Sequence, residues 1–164
     1  MQSAVLETIY TLHPEQYWLH IYTDGALTES NGKAGAGARI HCKLFSFYLT
    51  LGHHATQLDG ELEAMNIAIS QIVGRIESFK KAVIFSDSTA AIHSLTKADA
   101  LSSKRVTEIY SSIKQLKGFQ KDIKFQWVPS HFGVMGNEMA ITWQRKVLQS
   151  AKYLRVNYHF ILPN

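Results

Sequence analysis

The sequence predicts a single mixed α/β domain, whose sheet has three antiparallel strands followed by two parallel ones and is flanked by helices. Three consecutive segments up to Leu51 are rich in apolar, β-branched or glycine residues and are separated by short polar turns, which is typical of an antiparallel meander. Farther along, a strand, helices and a second strand alternate, which indicates a parallel crossover. A length of 164 residues allows one hydrophobic core and leaves no room for a second.

The first strand is predicted around Trp18–Tyr22, where apolar and β-branched residues suggest burial on much of both faces. Asp24 ends this strand in the prediction, and Gly25 follows at once. A buried carboxylate without a partner is very costly, so Asp24 would need a partner at that edge of the sheet. The alternative is that Asp24 only starts a turn with Gly25.

The meander continues through a polar turn at Leu27–Lys33, whose Asn31-Gly32 pair suits a tight hairpin. The second strand is predicted over Ala34–Cys42, and its glycines indicate a bulge or a close approach of another backbone. The third strand is predicted over Leu44–Leu51, where aromatic and β-branched residues dominate.

A long helix is predicted over Gln57–Ile76, because apolar residues recur at alternating spacings of four and three. These residues are Leu58, Leu62, Met65, Ile69, Ile72 and Ile76. Asp59, Glu61 and Glu63 lie near its beginning, where acids are favoured by the helix dipole. A chemical role would need one of them to face Asp24, and the periodicity alone does not choose which.

The pattern of a strand followed by an aspartate recurs at Lys81–Ser86, with Asp87 directly after it. A helix is predicted over Thr89–Lys97, with Asp87 or Ser88 as its N-cap. In α/β sheets ligands bind beyond the carboxyl ends of the strands, and Asp87 occupies such a position. Capping alone would explain Asp87 equally well.

The last predicted elements are a helix over Ser102–Lys117, a strand over Ile123–Val128 and a further helix from about Asn137. Pro129 ends the strand, and a loop containing His131 connects it to the final helix. A lone loop histidine is more often a surface residue than a functional one.

Composition narrows the class of protein. A net charge of +4 and a pI near 9.2 permit a polyanionic partner such as nucleic acid. The single cysteine, Cys42, excludes an internal disulfide and a zinc cluster made of thiolates. No apolar run is long enough to span a membrane, and the first twelve residues lack the regions of a signal peptide. We therefore expect an intracellular protein, cytoplasmic or nuclear.

Four short strings occur in order on the predicted elements. They are Tyr22-Thr23-Asp24-Gly25, Gly60-Glu61-Leu62-Glu63-Ala64, Ser86-Asp87-Ser88, and the string from Trp127-Val128-Pro129-Ser130-His131 to Gly136-Asn137-Glu138. On these strings the chain resembles the ribonuclease H family over residues 17–148. The last string most resembles the domains of non-LTR retrotransposons. The resemblance implies a ribonuclease H-like fold in residues 17–150, with an N-terminal extension (1–16) and a C-terminal tail (151–164).

The resemblance also implies a chemistry. Asp24 would bridge two divalent ions, with Glu61 and Asp87 completing the shell. The ions would be Mg²⁺, with Mn²⁺ as a substitute, because both favour oxygen ligands. Glu61 is preferred over Glu63 because the family places its glutamate directly before that leucine. His131 would assist proton transfer or product release.

The implied substrate is the RNA strand of an RNA–DNA hybrid, recognised through the minor groove and the 2′-hydroxyls rather than through base sequence. The residues at positions where the family contacts the substrate are Gly25, Thr56, Gln57, Ser88 and Thr89. A neighbouring reverse transcriptase domain in a polyprotein is the implied partner, and no membrane is expected.

One departure from the family pattern concerns the final helix, where the family carries an aspartate and this chain has Ile141. Three accounts follow. The enzyme works with three carboxylates, more slowly or with Mn²⁺. Alternatively, Glu138, one helical turn earlier, replaces the missing ligand, although a first-turn acid also simply favours the helix dipole. In the third account the domain is a catalytically inactive hybrid-binding or scaffold module.

Overall fold

The structure, a computed structural model, describes residues 7, 9–30, 33–52, 54–96 and 103–129. Its strands are β1 (Trp18–Ser30), β2 (Lys33–Cys42), β3 (Phe45–Gly52), β4 (Lys81–Ser86) and β5 (Asp122–Trp127). Its helices are α1 (Gln57–Val73), α2 (Thr89–Thr96) and α3 (Lys104–Gly118), with a short 3-10 helix at Ile76–Ser78. None of these helices combines the length and apolar character that crossing a membrane requires.

The described strands form one five-stranded sheet in the order β3-β2-β1-β4-β5. The pairs β1–β2 and β2–β3 are antiparallel, whereas β1–β4 and β4–β5 are parallel. The predicted mixed sheet is therefore confirmed. Its central strand, β1, lies between the antiparallel and the parallel halves.

Strand β1 is longer than predicted. Its pairing with β2 continues as far as Ser30 opposite Lys33, so the prediction of a polar turn was wrong for residues 27–30. The prediction that Asp24 ends the strand was also wrong, because β1 has two neighbours that stop at different places. The parallel ladder with β4 stops at Tyr22 opposite Phe85, while the ladder with β2 runs past Asp24.

Helix α1 packs against one face of the sheet through most of the predicted apolar stripe, although Leu58 at its start is exposed. Met65, Ile69 and Ile72 are fully buried in a core that includes Ile21 of β1 and Ile40 of β2. The helix ends at Val73 rather than at the predicted Ile76. Glycine is a poor helix former, and Gly74 closes the helix by donating its N–H to the carbonyls of the last turn.

The opposite face of the sheet is covered in part by the segment before β1, for which the sequence predicted no element. Residues 9–12 are helical, and Ile9 is buried against Phe85 and Val128. Part of the predicted N-terminal extension (1–16) thus packs against β4. The predicted helix from Asn137, the loop around His131 and the tail lie outside the described residues.

Candidate metal centre

Asp24 and Asp87 occupy corresponding positions on neighbouring parallel strands. Each lies two residues beyond the last matched pair, Tyr22 and Phe85. Between them, the hydroxyl of Thr23 donates a hydrogen bond of 3.1 Å to the carbonyl of Phe85, which fastens the two strands where their ladder stops. Register alone therefore places the two carboxylates side by side at the carboxyl end of β4.

Glu61 comes from the helical layer and reaches the same place because of Gly25. A Cβ atom on Gly25 would lie 2.5 Å from the backbone nitrogen of Glu61 and 2.8 Å from its carboxyl carbon. Real Cβ atoms do not come so close, so only glycine permits this contact between β1 and α1. Gly25 is buried, and its N–H donates a hydrogen bond to the Glu61 carboxylate.

The three acids near the start of α1 have different partners. Asp59 completes a capping box with Thr56, in which the Thr56 N–H donates to the carboxylate at 2.8 Å. This hydrogen bond and that of the Thr56 hydroxyl lower the pKa of Asp59. Glu63 accepts a hydrogen bond of 2.6 Å from Arg105 on α3. Glu61 alone of the three faces Asp24, which resolves the choice that periodicity left open.

The carboxylates of Asp24, Glu61 and Asp87 form a compact cluster. One oxygen from each lies within 4.8 Å of the others. Glu61 is only 2% exposed, and burial raises its pKa to about 8. The Gly25 N–H opposes this shift by stabilising the anion, whereas the nearby charges of Asp87 and Asp24 add to it.

One oxygen of the cluster has unused bonding capacity. Glu61 Oε2 is buried, and among the described residues no group donates a hydrogen bond to it. A buried carboxylate oxygen in this condition is costly unless a cation or a donor reaches it. Mg²⁺ and Mn²⁺ accept carboxylate oxygens as ligands, so the donor set fits such an ion. The fit rests on this oxygen and on the spacing of the three carboxylates.

Arg39 is a further charged group at the site, and the sequence reasoning missed it. It lies on β2 directly opposite Asp24, and its Nη2 is 2.9 Å from Asp24 Oδ2. Arg39 is only 6% exposed, so this is a buried cation beside the carboxylate cluster. The sequence held a usable signal, because the tight hairpin predicted at Asn31-Gly32 implies Ser30 opposite Lys33 and hence Asp24 opposite Arg39.

Two other residues that the sequence reasoning missed hold the Asp87 side of the cluster. The Ser86 hydroxyl donates a hydrogen bond to Glu61 and accepts one of 3.1 Å from the Ser88 N–H. The indole N–H of Trp127 donates to the backbone carbonyl of Asp87 at 3.0 Å. The N-cap of α2 is Ser88, whose hydroxyl accepts from a backbone N–H of the first turn at 3.2 Å. Capping therefore does not explain the Asp87 carboxylate.

Of the five predicted substrate-binding residues, Gly25 is buried on β1 and the other four lie at the starts of two helices. Thr56 and Gln57 are exposed at the beginning of α1, one turn before the cluster glutamate. Ser88 is half-buried and Thr89 exposed at the beginning of α2. Their contact with a substrate stays a prediction.

The remaining predicted site residue, His131, lies outside the described residues. So do Ile141 and Glu138, on which the accounts of the fourth carboxylate depend.

Comparisons with known proteins agree with this fold. The sequence pattern of the RNase H family matches residues 16–147. The N-terminal RNase H domain of a Mycobacterium tuberculosis protein superposes with a TM-score of 0.54 at 18% identity, covering 82% of this chain and 99% of that one. RNase H1 from the halophilic archaeon Halobacterium salinarum gives a TM-score of 0.54 at 22% identity, covering 81% of this chain and 98% of that one. No curated protein gives a significant match.

Proposed function

The chain belongs to the RNase H family, and from this premise we propose that it is a metal-dependent endonuclease that hydrolyses the RNA strand of RNA–DNA hybrids. One observation carries the proposal. Asp24, Glu61 and Asp87 come from three separate elements and converge within 4.8 Å, and a buried oxygen of Glu61 lacks a donor among the described residues. The resemblance found in the sequence assigns catalytic and metal-binding roles to these three side chains.

Mg²⁺, or Mn²⁺ as its substitute, would supply activation of the attacking water and stabilisation of the departing oxyanion. The chain's own contribution is to hold the carboxylates rigidly. Asp24 lies on β1, Asp87 directly follows β4, and Glu61 is fixed where α1 meets Gly25. Such rigidity favours catalysis, because ligands that are already in place need no reorganisation during the reaction.

The proposal assigns the hybrid to the surface around this cluster. Gly25, Thr56, Gln57, Ser88 and Thr89 would contact the nucleic-acid backbone. The backbone N–H groups at the starts of α1 and α2 favour a nearby phosphate. His131 would assist proton transfer or product release.

The origin of the chain is part of the proposal. The string from Trp127 to Glu138 favours a retrotransposon-like polyprotein, in which a reverse transcriptase domain would be the neighbour. Such a protein would act in the cytoplasm or the nucleus. The ribonuclease H domain would span residues 17–150, between an extension at 1–16 and a tail at 151–164. The family match over residues 16–147 supports these bounds.

A second candidate function is a hybrid-binding module that does not cleave. Two observations favour it. Ile141 stands where the family carries a carboxylate, and Arg39 already neutralises part of the charge on Asp24. Both features weaken the attraction of the site for cations.

The experiment that separates these functions is cleavage of a labelled RNA–DNA hybrid in Mg²⁺ and in Mn²⁺. The unaltered chain, Asp24→Asn and Ile141→Asp would be compared, with hybrid binding measured in parallel at low salt. Cleavage by the unaltered chain and not by Asp24→Asn supports the nuclease. Cleavage by Ile141→Asp alone would identify an assembled but inactive site, and binding would then be the function. If no protein cleaves or binds the hybrid, the proposal is wrong.

A duplex of DNA and a duplex of RNA serve as matched substrates. We expect neither to be cleaved, because recognition of a hybrid depends on 2′-hydroxyls on one strand only.

A further inference from the structure

Arg39 places a fixed positive charge inside the proposed metal site. Its side chain is 8% exposed and the Asp24 side chain 20% exposed, so solvent screens their attraction far less than it would a surface pair. The contact is also held by the fold, because the two residues are direct partners on hydrogen-bonded strands.

This contact restricts how Asp24 can bind metal. To bridge two ions, a carboxylate commonly offers one oxygen to each, and Asp24 Oδ2 is already 2.9 Å from Arg39 Nη2. An ion on that oxygen, at the Mg–O distance of about 2.1 Å, would lie no more than about 5 Å from the guanidinium nitrogen. A divalent ion so close to a buried cation is strongly repelled. One oxygen each from Asp24, Glu61 and Asp87 lies within 4.8 Å of the others, so a single ion could be shared by all three carboxylates.

The net charge of the three carboxylates and Arg39 also favours a single divalent ion. With the three carboxylates ionised, Asp24, Glu61, Asp87 and Arg39 together carry a charge of −2. One divalent cation balances that charge, and a second one would leave an excess of positive charge in a largely buried place. Without Arg39 the three carboxylates would carry −3, which favours a second ion.

We propose that Arg39 is a positioning residue that limits this site to one divalent ion, where the family resemblance implies two. The inference deepens the proposed function and rests on it only in requiring that the carboxylate cluster binds a divalent cation. It does not require that the chain cleaves a hybrid.

The test is a count of bound Mn²⁺ by electron paramagnetic resonance of the free ion, supported by titration calorimetry. The proteins are the unaltered chain, Arg39→Met, which keeps an unbranched apolar side chain but removes the charge, and Arg39→Lys, which keeps the charge. Asp24→Asn serves as the site control, and its tightly bound ion should be lost.

We expect one tightly bound Mn²⁺ in the unaltered chain and in Arg39→Lys. Arg39→Met should bind its first ion at least tenfold more tightly and acquire a second one. A purely structural role for Arg39 would not raise the number of bound ions or tighten their binding, whereas removal of a repulsive charge does both. Retention of one ion by the lysine variant identifies charge as the cause.

Two bound ions in the unaltered chain, or none, would overturn the inference, and so would an Arg39→Met protein that binds metal like its parent. If Arg39→Met does not fold, Arg39→Gln, a second neutral replacement, supplies the comparison with the unaltered chain and Arg39→Lys. The cleavage assay separates this inference from the proposed function. One bound ion without cleavage leaves the inference standing and the nuclease refuted, whereas two bound ions with cleavage do the reverse.

Discussion

Replacing Glu61 by glutamine should make the metal-free protein more stable at neutral pH, although it removes a proposed ligand. Glu61 is buried, and its pKa is raised to about 8 from an ordinary value of 4.5. The folded protein therefore holds a proton at this position more tightly than the unfolded chain does. The stabilising effect of that proton is complete below pH 4.5 and is lost as the pH rises towards 8.

The size of the effect follows from the two pKa values. One pKa unit corresponds to about 1.4 kcal/mol, so at pH 7 the folded chain loses about 3 kcal/mol relative to a neutral side chain at position 61. At pH 5 the loss is about 1 kcal/mol or less. Glutamine has almost the same shape and stays neutral, and its amide can donate towards the carboxylates of Asp24 and Asp87. We expect Glu61→Gln to exceed the unaltered chain in unfolding free energy by these amounts.

Urea unfolding in the presence of a chelator, at pH 5 and at pH 7, measures the difference. The matched control is Glu63→Gln, two residues farther along α1. Glu63 is paired with Arg105 rather than with other carboxylates, so its replacement should give no gain in stability at pH 7. Saturating Mn²⁺ should reverse the order, because an ion that binds only the folded chain stabilises it and Glu61→Gln binds that ion poorly.

A stability difference between Glu61→Gln and its parent that is the same at pH 5 and pH 7 would refute the reasoning. It would mean that Glu61 is ionised in the folded protein even without metal, and hence that the cluster is more open to water than its burial indicates.

Three further substitutions test the framework of the site by urea unfolding and hybrid cleavage. Gly25→Ala should destabilise the protein by about 3 kcal/mol and abolish cleavage, since the new methyl group collides with the Glu61 backbone; normal stability would refute the close contact. Thr56→Ala should lower the free energy of unfolding by about 1 kcal/mol because the capping box is lost, and Thr56→Ser should restore the capping box and the stability. Trp127→Phe removes a donor to Asp87 at a partly exposed position, so we expect a loss of about 1 kcal/mol or less and cleavage reduced several-fold. Unchanged cleavage by Trp127→Phe would show that the indole does not hold Asp87 in place.

The sequence predicted the sheet and the helices because their apolar residues follow the periods of strands and helices. The end of β1 was misjudged, since residues 27–30 are largely polar and apolar periodicity gave no sign of their pairing with β2. The distinction between Glu61 and Glu63 was also beyond periodicity. It depends on the contact of α1 with Gly25, which is a feature of packing between layers.

Arg39 is a different case, because the sequence contained the necessary information. A tight hairpin predicted at Asn31-Gly32 implies Ser30 opposite Lys33, and counting back along both strands then brings Asp24 and Arg39 together, as the observed register does. The segment before β1 lacked such a signal. The burial of Ile9 depends on its packing against Val83 and Phe85 of β4 and not on any pattern of its own.

The contact between Gly25 and Glu61 has a mechanical consequence. Asp24 belongs to the sheet, Asp87 directly follows β4 and Glu61 belongs to the helical layer, so the cluster exists only while those layers touch. A cation held by all three would act as a cross-link between helix and sheet. Conversely, any motion that lifts the first turns of α1 from β1 would dismantle the site while the rest of the core remained packed. The ability to bind metal and the fit between the two layers are therefore one property of this molecule.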